Sequence, residues 1–231
     1  MRYPASEVSV GQAPPEGHMR PRNRQPLRRE LDHRMANSLQ LAADLLLFEQ
    51  VRVKDPAARE ALGDAVARLS AVAQLHRCLC AHDDLSGVDL RLFLSEICSL
   101  ISQSTGLACT LDADPVVLGP DVAQQLGIAI NELAMNAAKH AYRGERRGAL
   151  HVEARQIGNR LRLAVSDRGE GLAPDFTVGQ THGLGMDILQ AVVRQVNGTL
   201  EAQNDHGARF TITLPLPSAI APMPRSFAPQ D

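Results

Sequence analysis

The sequence predicts an α+β protein: an antiparallel helical hairpin, paired into a four-helix bundle by a second copy, followed by an α/β sandwich. Three observations carry this. Apolar residues recur at helical spacing through residues 27–80 with no alternating pattern. Beyond residue 148, alternating runs appear in pairs, the mark of antiparallel strands. Helical stretches and two glycine-bearing segments separate those pairs, which gives helices layered on a sheet.

The 231 residues, 44% hydrophobic and 22% charged, suffice for one large or two small globular units and exclude disorder throughout. A net charge of −2 provides no basic field for nucleic acid, and 3% aromatics without tryptophan provide no stacking platform for single strands. The densest apolar stretch, Leu41 to Phe48, falls far short of the ~20 residues of a membrane span. The opening MRYPASEVSV has no apolar run of a signal peptide. The expectation is a cytoplasmic protein with neither nucleic acid nor membrane as partner. None of the four cysteines forms a Cys-x-x-Cys pair, so reduced, packed thiols are expected.

Residues 1–26, rich in Pro, Gly and Arg, are expected to form a flexible arm. Residues 27–85 form the hairpin. Its first helix carries Leu31, Met35, Leu39, Ala42, Leu45 and Leu46; Asp55 and Pro56 suit the cap and first turn of the second. The second helix carries Leu62, Val66, Leu69, Val72, Ala73, Leu79 and Cys80. Apolar stripes this wide exceed what one hairpin covers, hence the homodimer.

Residues 88–216 form the second unit. A helix is expected over 89–103, a strand near 107–111 and a helix over about 120–140. Strands near 150–154 and 161–165 are joined at Gly158-Asn159, a hairpin-turn pair. A helix over roughly 185–196 and strands at 199–203 and 209–214 complete it, and 217–231 trails as a proline-rich tail.

The helix over 120–140 is two-faced. Opposite its apolar side, Glu132, Asn136, Lys139 and His140 form a polar stripe. Such a stripe is usually a solvated face, but asparagine is a poor helix former. Asparagine offers a neutral oxygen to Mg²⁺, and Lys and His can meet phosphate oxygens. The strand to Val165 runs into Asp167-Arg-Gly169-Glu-Gly171, where glycines admit close backbone approach and a carboxylate can accept an amine proton. Gly183-Leu-Gly185 then stands before a helix, a layout suited to anions. Ile188 occupies the place of a third dinucleotide-binding glycine, and no Gly-Lys-Ser/Thr exists, so the Rossmann and P-loop readings fail.

The order of these motifs over about residues 88–216 resembles the Bergerat (GHKL) ATP-binding fold of gyrase-type ATPases, Hsp90 chaperones, mismatch-repair ATPases, anti-sigma-factor kinases and sensor histidine kinases. Within it, Asn131-Glu132-Leu-Ala-Met-Asn136-Ala-Ala-Lys139-His140-Ala141 is similar to the N box of histidine kinases whose dimerisation domain is of the second, His-Arg-x-x-Asn type. Glu30-Leu-Asp32-His33-Arg34-Met-Ala36-Asn37-Ser38-Leu39-Gln40 resembles that family's phosphoacceptor box. The resemblance implies a protein histidine kinase that uses ATP and Mg²⁺. His33 would be the phosphoacceptor and Glu132 would orient or assist proton transfer. Asp167, with Gly169 and Gly171, would hold adenine; Asn136 would hold Mg²⁺; Lys139, His140, Gly183 and Gly185 would meet the phosphates. It also implies a response-regulator receiver domain as partner and, with no recognisable sensor region, a separate sensor protein.

The chain departs from the family where Ala36 and Ser38 replace Lys and Asn, and where Ala208 follows Gly207 in place of Thr. Arg34 stands where many histidine kinases have an acidic residue, which leaves Asp32 as the candidate base. The alternative is a histidine phosphotransfer protein or pseudokinase with a vestigial nucleotide site, which would have lost Asn136, Asp167 or the glycines. An ATPase or serine kinase of the same fold would need neither His33 nor the hairpin.

Overall fold

The computed structural model describes the backbone of residues 24–81, 87–142, 148–180 and 183–216, and the side chains in these ranges except at 24–33 and 80–81. Most of the expected arm, the tail at 217–231, and the side chains of Asp32 and His33 lie outside the described residues.

Helix α1, Arg24–Arg52, and helix α2, Pro56–Ala81, are each about 40 Å long at 1.5 Å per residue. The break between them is set as the sequence predicts. Asp55 accepts a hydrogen bond from the Ala58 amide at 3.1 Å, and Pro56 opens α2. Arg59 donates to the Val53 carbonyl, and Gln50 Nε2 donates to the Arg59 carbonyl at 2.9 Å.

The seam between the helices differs from the expected stripe. It is lined by Ala36, Ala43 and Ala73, all buried, while Met35, Leu41, Leu45, Phe48 and Val51 are exposed in the single chain. Small side chains seven residues apart make a narrow seam, so the large apolar residues on either side of it face outward. On α2, Leu75, absent from the predicted stripe, and Leu79 join the hydrophobic cluster of the α/β unit. Helix α2 thus packs on two sides.

Strand β1, Val88–Asp89, pairs antiparallel with β3, Val117–Leu118, a short ribbon that the sequence did not reveal. Helix α3, Leu90–Thr105, starts on Asp89, whose side chain accepts from the Leu92 amide, and stops at Gly106 with φ +77°. Strand β2, Ala108–Ala113, opens the main sheet. Helix α4, Pro120–Asn136, runs on into a π-helical turn, Ala137–Ala141. Strands β4, Ala149–Ile157, and β5, Arg160–Asp167, are joined at Gly158, φ +61°. Helix α5, Leu184–Gln195, and strands β6, Thr199–Asn204, and β7, Ala208–Pro215, follow.

The sheet order is β2-β4-β5-β7-β6, with β2 parallel to β4 and the remaining pairs antiparallel. Val152, Leu161, Leu163, Ile212 and Leu214 bury one face, in one cluster with residues of α3, α4 and α5. The polar side chains along these strands include Arg155, which pairs with Asp112, Asp114 and Glu153, and Arg209, which pairs with Glu153 at 2.6 Å. Cys98 is buried and Cys78 and Cys109 half-buried, all three as free thiols; burial and a hydrogen bond with Glu96 push the Cys78 thiol up to about 11. Among the described residues, no helix is long and apolar enough to cross a membrane.

Candidate functional site

The α4 helix supplies the first wall of the site. Its apolar residues Leu126, Ile130 and Leu133 sink into the core and thereby aim the neighbouring stripe sideways. After Asn136 the backbone widens into the π turn that carries Lys139 and His140, a local geometry enriched at functional sites. The sequence predicted an uninterrupted α-helix here.

The second wall is the end of β5. The carboxylate of Asp167, only 7% exposed, accepts from the amides of Gly169 at 2.9 Å and Ala208 at 3.1 Å. Among the described residues both bonds fall on Oδ1, which leaves Oδ2 for a ligand. Gly169 is required by crowding: a Cβ there would lie 2.4 Å from the Ala141 carbonyl oxygen. Three residues that sequence reasoning did not select hold this motif in place. Tyr142 Oη accepts from the Arg168 and Ala149 amides and donates to the Ala149 carbonyl. The Asn204 amide pairs with both backbone groups of Leu172. Gly207, φ +141°, lets β7 pass Asp167, where a Cβ would sit 2.3 Å from the Asp167 carbonyl oxygen. Tyr142 and Asn204 have no local sequence signal, because each acts across the fold, and Gly207 stood out only as the glycine before Ala208.

A cavity of about 610 Å³ brings together Asn136, Lys139, His140, Asp167, Gly171, Gly183 and Gly185. Val165 and Phe210 give it apolar walls near Asp167, and Met186 lines it beside Asn136. Of the remaining predicted residues, Gly169 lies behind it against Ala141, and Glu132 is buried beside Gly185. The His33 backbone belongs to α1.

Hairpin residues Glu60, Ala61, Asp64 and Arg68 of α2 also line the cavity, and two of them grip its polar groups. Arg68 Nε donates to both oxygens of Glu132, each at 3.0 Å, and Lys139 pairs with Asp64. Burial holds the Glu132 carboxyl above the ordinary carboxylate range, and the Arg68 guanidinium opposes that rise. In the sequence Asp64 and Arg68 stand four apart on α2, a spacing indistinguishable from an ordinary solvated ion pair.

The donor set fits a divalent cation held mainly by phosphate. A Cβ on Gly185 would lie 3.4 Å from Asn136 Oδ1 and 2.8 Å from Glu132 Oε2, so the glycine keeps space open beside these oxygens. Arg68 engages both Glu132 oxygens, which makes Asn136 Oδ1 the neutral oxygen available to a hard ion.

The family described as "Histidine kinase" matches residues 30–105, and the family described as "Histidine kinase-, DNA gyrase B-, and HSP90-like ATPase" matches residues 121–218. The sensor histidine kinase PdtaS of Mycobacterium tuberculosis is 30% identical over 200 residues, which is 82% of this chain and 39% of that protein. Blue-light-activated histidine kinase 2 of Erythrobacter litoralis is 24% identical over 81% of this chain and 56% of that protein. The chain thus spans well under two thirds of the curated relatives it matches. A solved histidine kinase domain from an Erythrobacter litoralis blue-light-activated kinase has the same fold, with a TM-score of 0.59, 22% identity and coverage of 78% of this chain and 94% of that one. With a histidine-kinase segment running directly into an ATPase segment of that class, the chain belongs to the histidine kinases, of the second dimerisation type with a GHKL ATPase domain.

Proposed function

We propose that the chain is an ATP-dependent protein histidine kinase that autophosphorylates His33 and passes the phosphoryl group to an aspartate of a response-regulator receiver domain. One observation carries the reading: a single cavity has a buried carboxylate at its apolar end and Asn136, Lys139 and His140 at its polar end. Asp167 Oδ2 accepts the exocyclic amine of adenine, and Val165 and Phe210 flank the base. Lys139, His140 and the backbone amides about Gly183 and Gly185 hold the phosphates. Asn136 Oδ1 would hold Mg²⁺, which would neutralise phosphate charge when bound.

In the transfer, a neutral imidazole nitrogen of His33 attacks the γ-phosphorus in line. The N–P bond forms as the bond to the ADP oxygen breaks, and the imidazole proton is released, with Glu132 orienting the attack or assisting that release. Positioning and charge neutralisation do most of the work. The domain bounds of the sequence reading, a hairpin at 27–85 and an ATP-binding unit at 88–216 between an arm and a tail, suit this division of labour.

The exposed Leu41, Leu45, Phe48 and Val51 supply an apolar face for a second copy, which supports a homodimer. The stimulus enters through a separate sensor protein or a further region, and the kinase works in the cytoplasm, where ATP is available. Incubation with γ-labelled ATP tests the reading. Label that is acid-labile and alkali-stable supports it, and acid-stable label contradicts it.

A further inference from the structure

We propose that Asp64 and Arg68 latch the hairpin across the nucleotide pocket in a resting arrangement, and that the phosphates of ATP release it by competing with Asp64 for Lys139. This rests on the nucleotide-site reading above. The two hairpin residues are one helical turn apart, and each grips a different group of the pocket: Arg68 takes Glu132, and Asp64 takes Lys139. The groups they occupy are the ones the reaction needs. A lysine paired with a carboxylate has less to offer a phosphate, and Glu60 beside Asp64 adds a second negative charge to the same wall. Phosphate entry therefore favours a hairpin that has moved away.

Backbone spacing shows that this arrangement is a resting one. The hairpin register is fixed where Gln50 meets Arg59 and Gly63. Counting along antiparallel helices from there, Arg68 lies five to nine residues away and His33 seventeen. At 1.5 Å per residue, His33 stands roughly 12–18 Å farther along the hairpin axis than Arg68. In a bundle whose twofold axis runs along the helices, the acceptor of a second copy lies at that same level, so the gap persists within and between subunits. In-line attack needs reacting atoms within about 3.5 Å. The pocket must leave Asp64 and Arg68 to reach either acceptor.

The test uses the full chain as wild type, Asp64→Asn and the double variant Asp64→Asn with Arg68→Gln. Calorimetry follows binding of ATP and of adenosine, which has no phosphates, and hydrogen exchange follows residues 60–68. The latch predicts ATP affinity higher by about fivefold or more in Asp64→Asn, with adenosine affinity unchanged. It also predicts faster exchange over 60–68 on adding ATP to wild type, and equally fast exchange without ATP in the double variant. Unchanged or weaker ATP binding in Asp64→Asn, or ATP-induced protection of 60–68, would overturn the latch while leaving the nucleotide site standing. Absence of ATP binding in all three proteins would overturn the nucleotide-site reading, and with it the competition.

Discussion

Arg68 of the hairpin and Glu132 of α4, 64 positions apart in the chain, form a largely buried ion pair in which one guanidinium nitrogen lies 3.0 Å from both carboxylate oxygens. The carboxylate is 2% exposed. A charge in that position needs its partner, because desolvation is not repaid by water. The pair ties the hairpin to α4 through the residue proposed to assist phosphoryl transfer.

Truncating Arg68 leaves a buried acceptor unpaired. The Arg68→Ala protein should lose about 1–3 kcal/mol of stability in urea titration, by the usual cost of an unsatisfied buried group. Replacing the pair together, Arg68→Met with Glu132→Leu, should recover most of that loss, since apolar groups of similar volume carry no desolvation penalty. A double replacement no more stable than Arg68→Ala would contradict the unpaired carboxylate as the source of the loss.

Glu132 also sets a pH dependence. Its folded pKa stands above its ordinary value through burial, with Arg68 and Lys139 opposing and Asp64 adding to the rise. Between the unfolded and folded values the folded state binds more protons. The stability from this group is therefore full below the unfolded pKa and is lost as pH rises through the folded one. The loss is about 1.4 kcal/mol for each unit of elevation. Urea titrations across that range should show stability falling with pH in the wild type, and Glu132→Gln should flatten the slope.

At the opposite end of the cavity, Asp167→Asn keeps Oδ1 for its two backbone donors but replaces the Oδ2 acceptor by an amide donor. ATP affinity should fall by roughly 1.5–3 kcal/mol, the range for a hydrogen bond to a charged group. Far-ultraviolet dichroism should remain that of the wild type. Unchanged affinity by calorimetry would remove Asp167 as the adenine acceptor.

Gly207 tests the crowding behind that carboxylate. At φ +141°, with the Asp167 carbonyl oxygen 2.3 Å from any added Cβ, Gly207→Ala forces backbone movement. A cost of about 1–3 kcal/mol is expected for the strained conformation, together with weaker ATP binding because Ala208 then shifts from Asp167. Thermal unfolding and calorimetry check both.

The residues most legible in the sequence are those whose job is local. Asp55 and Pro56 mark a helix start, Gly158 marks a hairpin turn, and both emerge where their local chemistry requires. Asn136 stood out because asparagine is a poor helix former, and Lys139 and His140 because they share its stripe and can meet phosphate; the fold gathers all three around one cavity with Asp167. Residues that act across the fold were not visible. Asn204 and Tyr142 reach the Asp167 loop from distant parts of the chain, and nothing beside them records that contact; Gly207 was marked by its family motif, but its approach to Asp167 was not. Leu75 escaped because it points from α2 to Gly127 of α4, away from the hairpin seam that the periodicity described. Asp64 and Arg68 escaped for the opposite reason: their spacing is too ordinary.

The central claim is that His33, of eight histidines, receives the phosphoryl group. Its most direct test compares labelling of His33→Ala with that of the wild type under γ-labelled ATP, alongside ATP binding by calorimetry. The account predicts that His33→Ala binds ATP as the wild type does yet takes up no acid-labile label, whereas Asn136→Ala keeps the acceptor and fails to charge it. Acid-labile label persisting on His33→Ala would contradict the account and place the acceptor elsewhere, with His140, which already lines the nucleotide cavity, the first to examine.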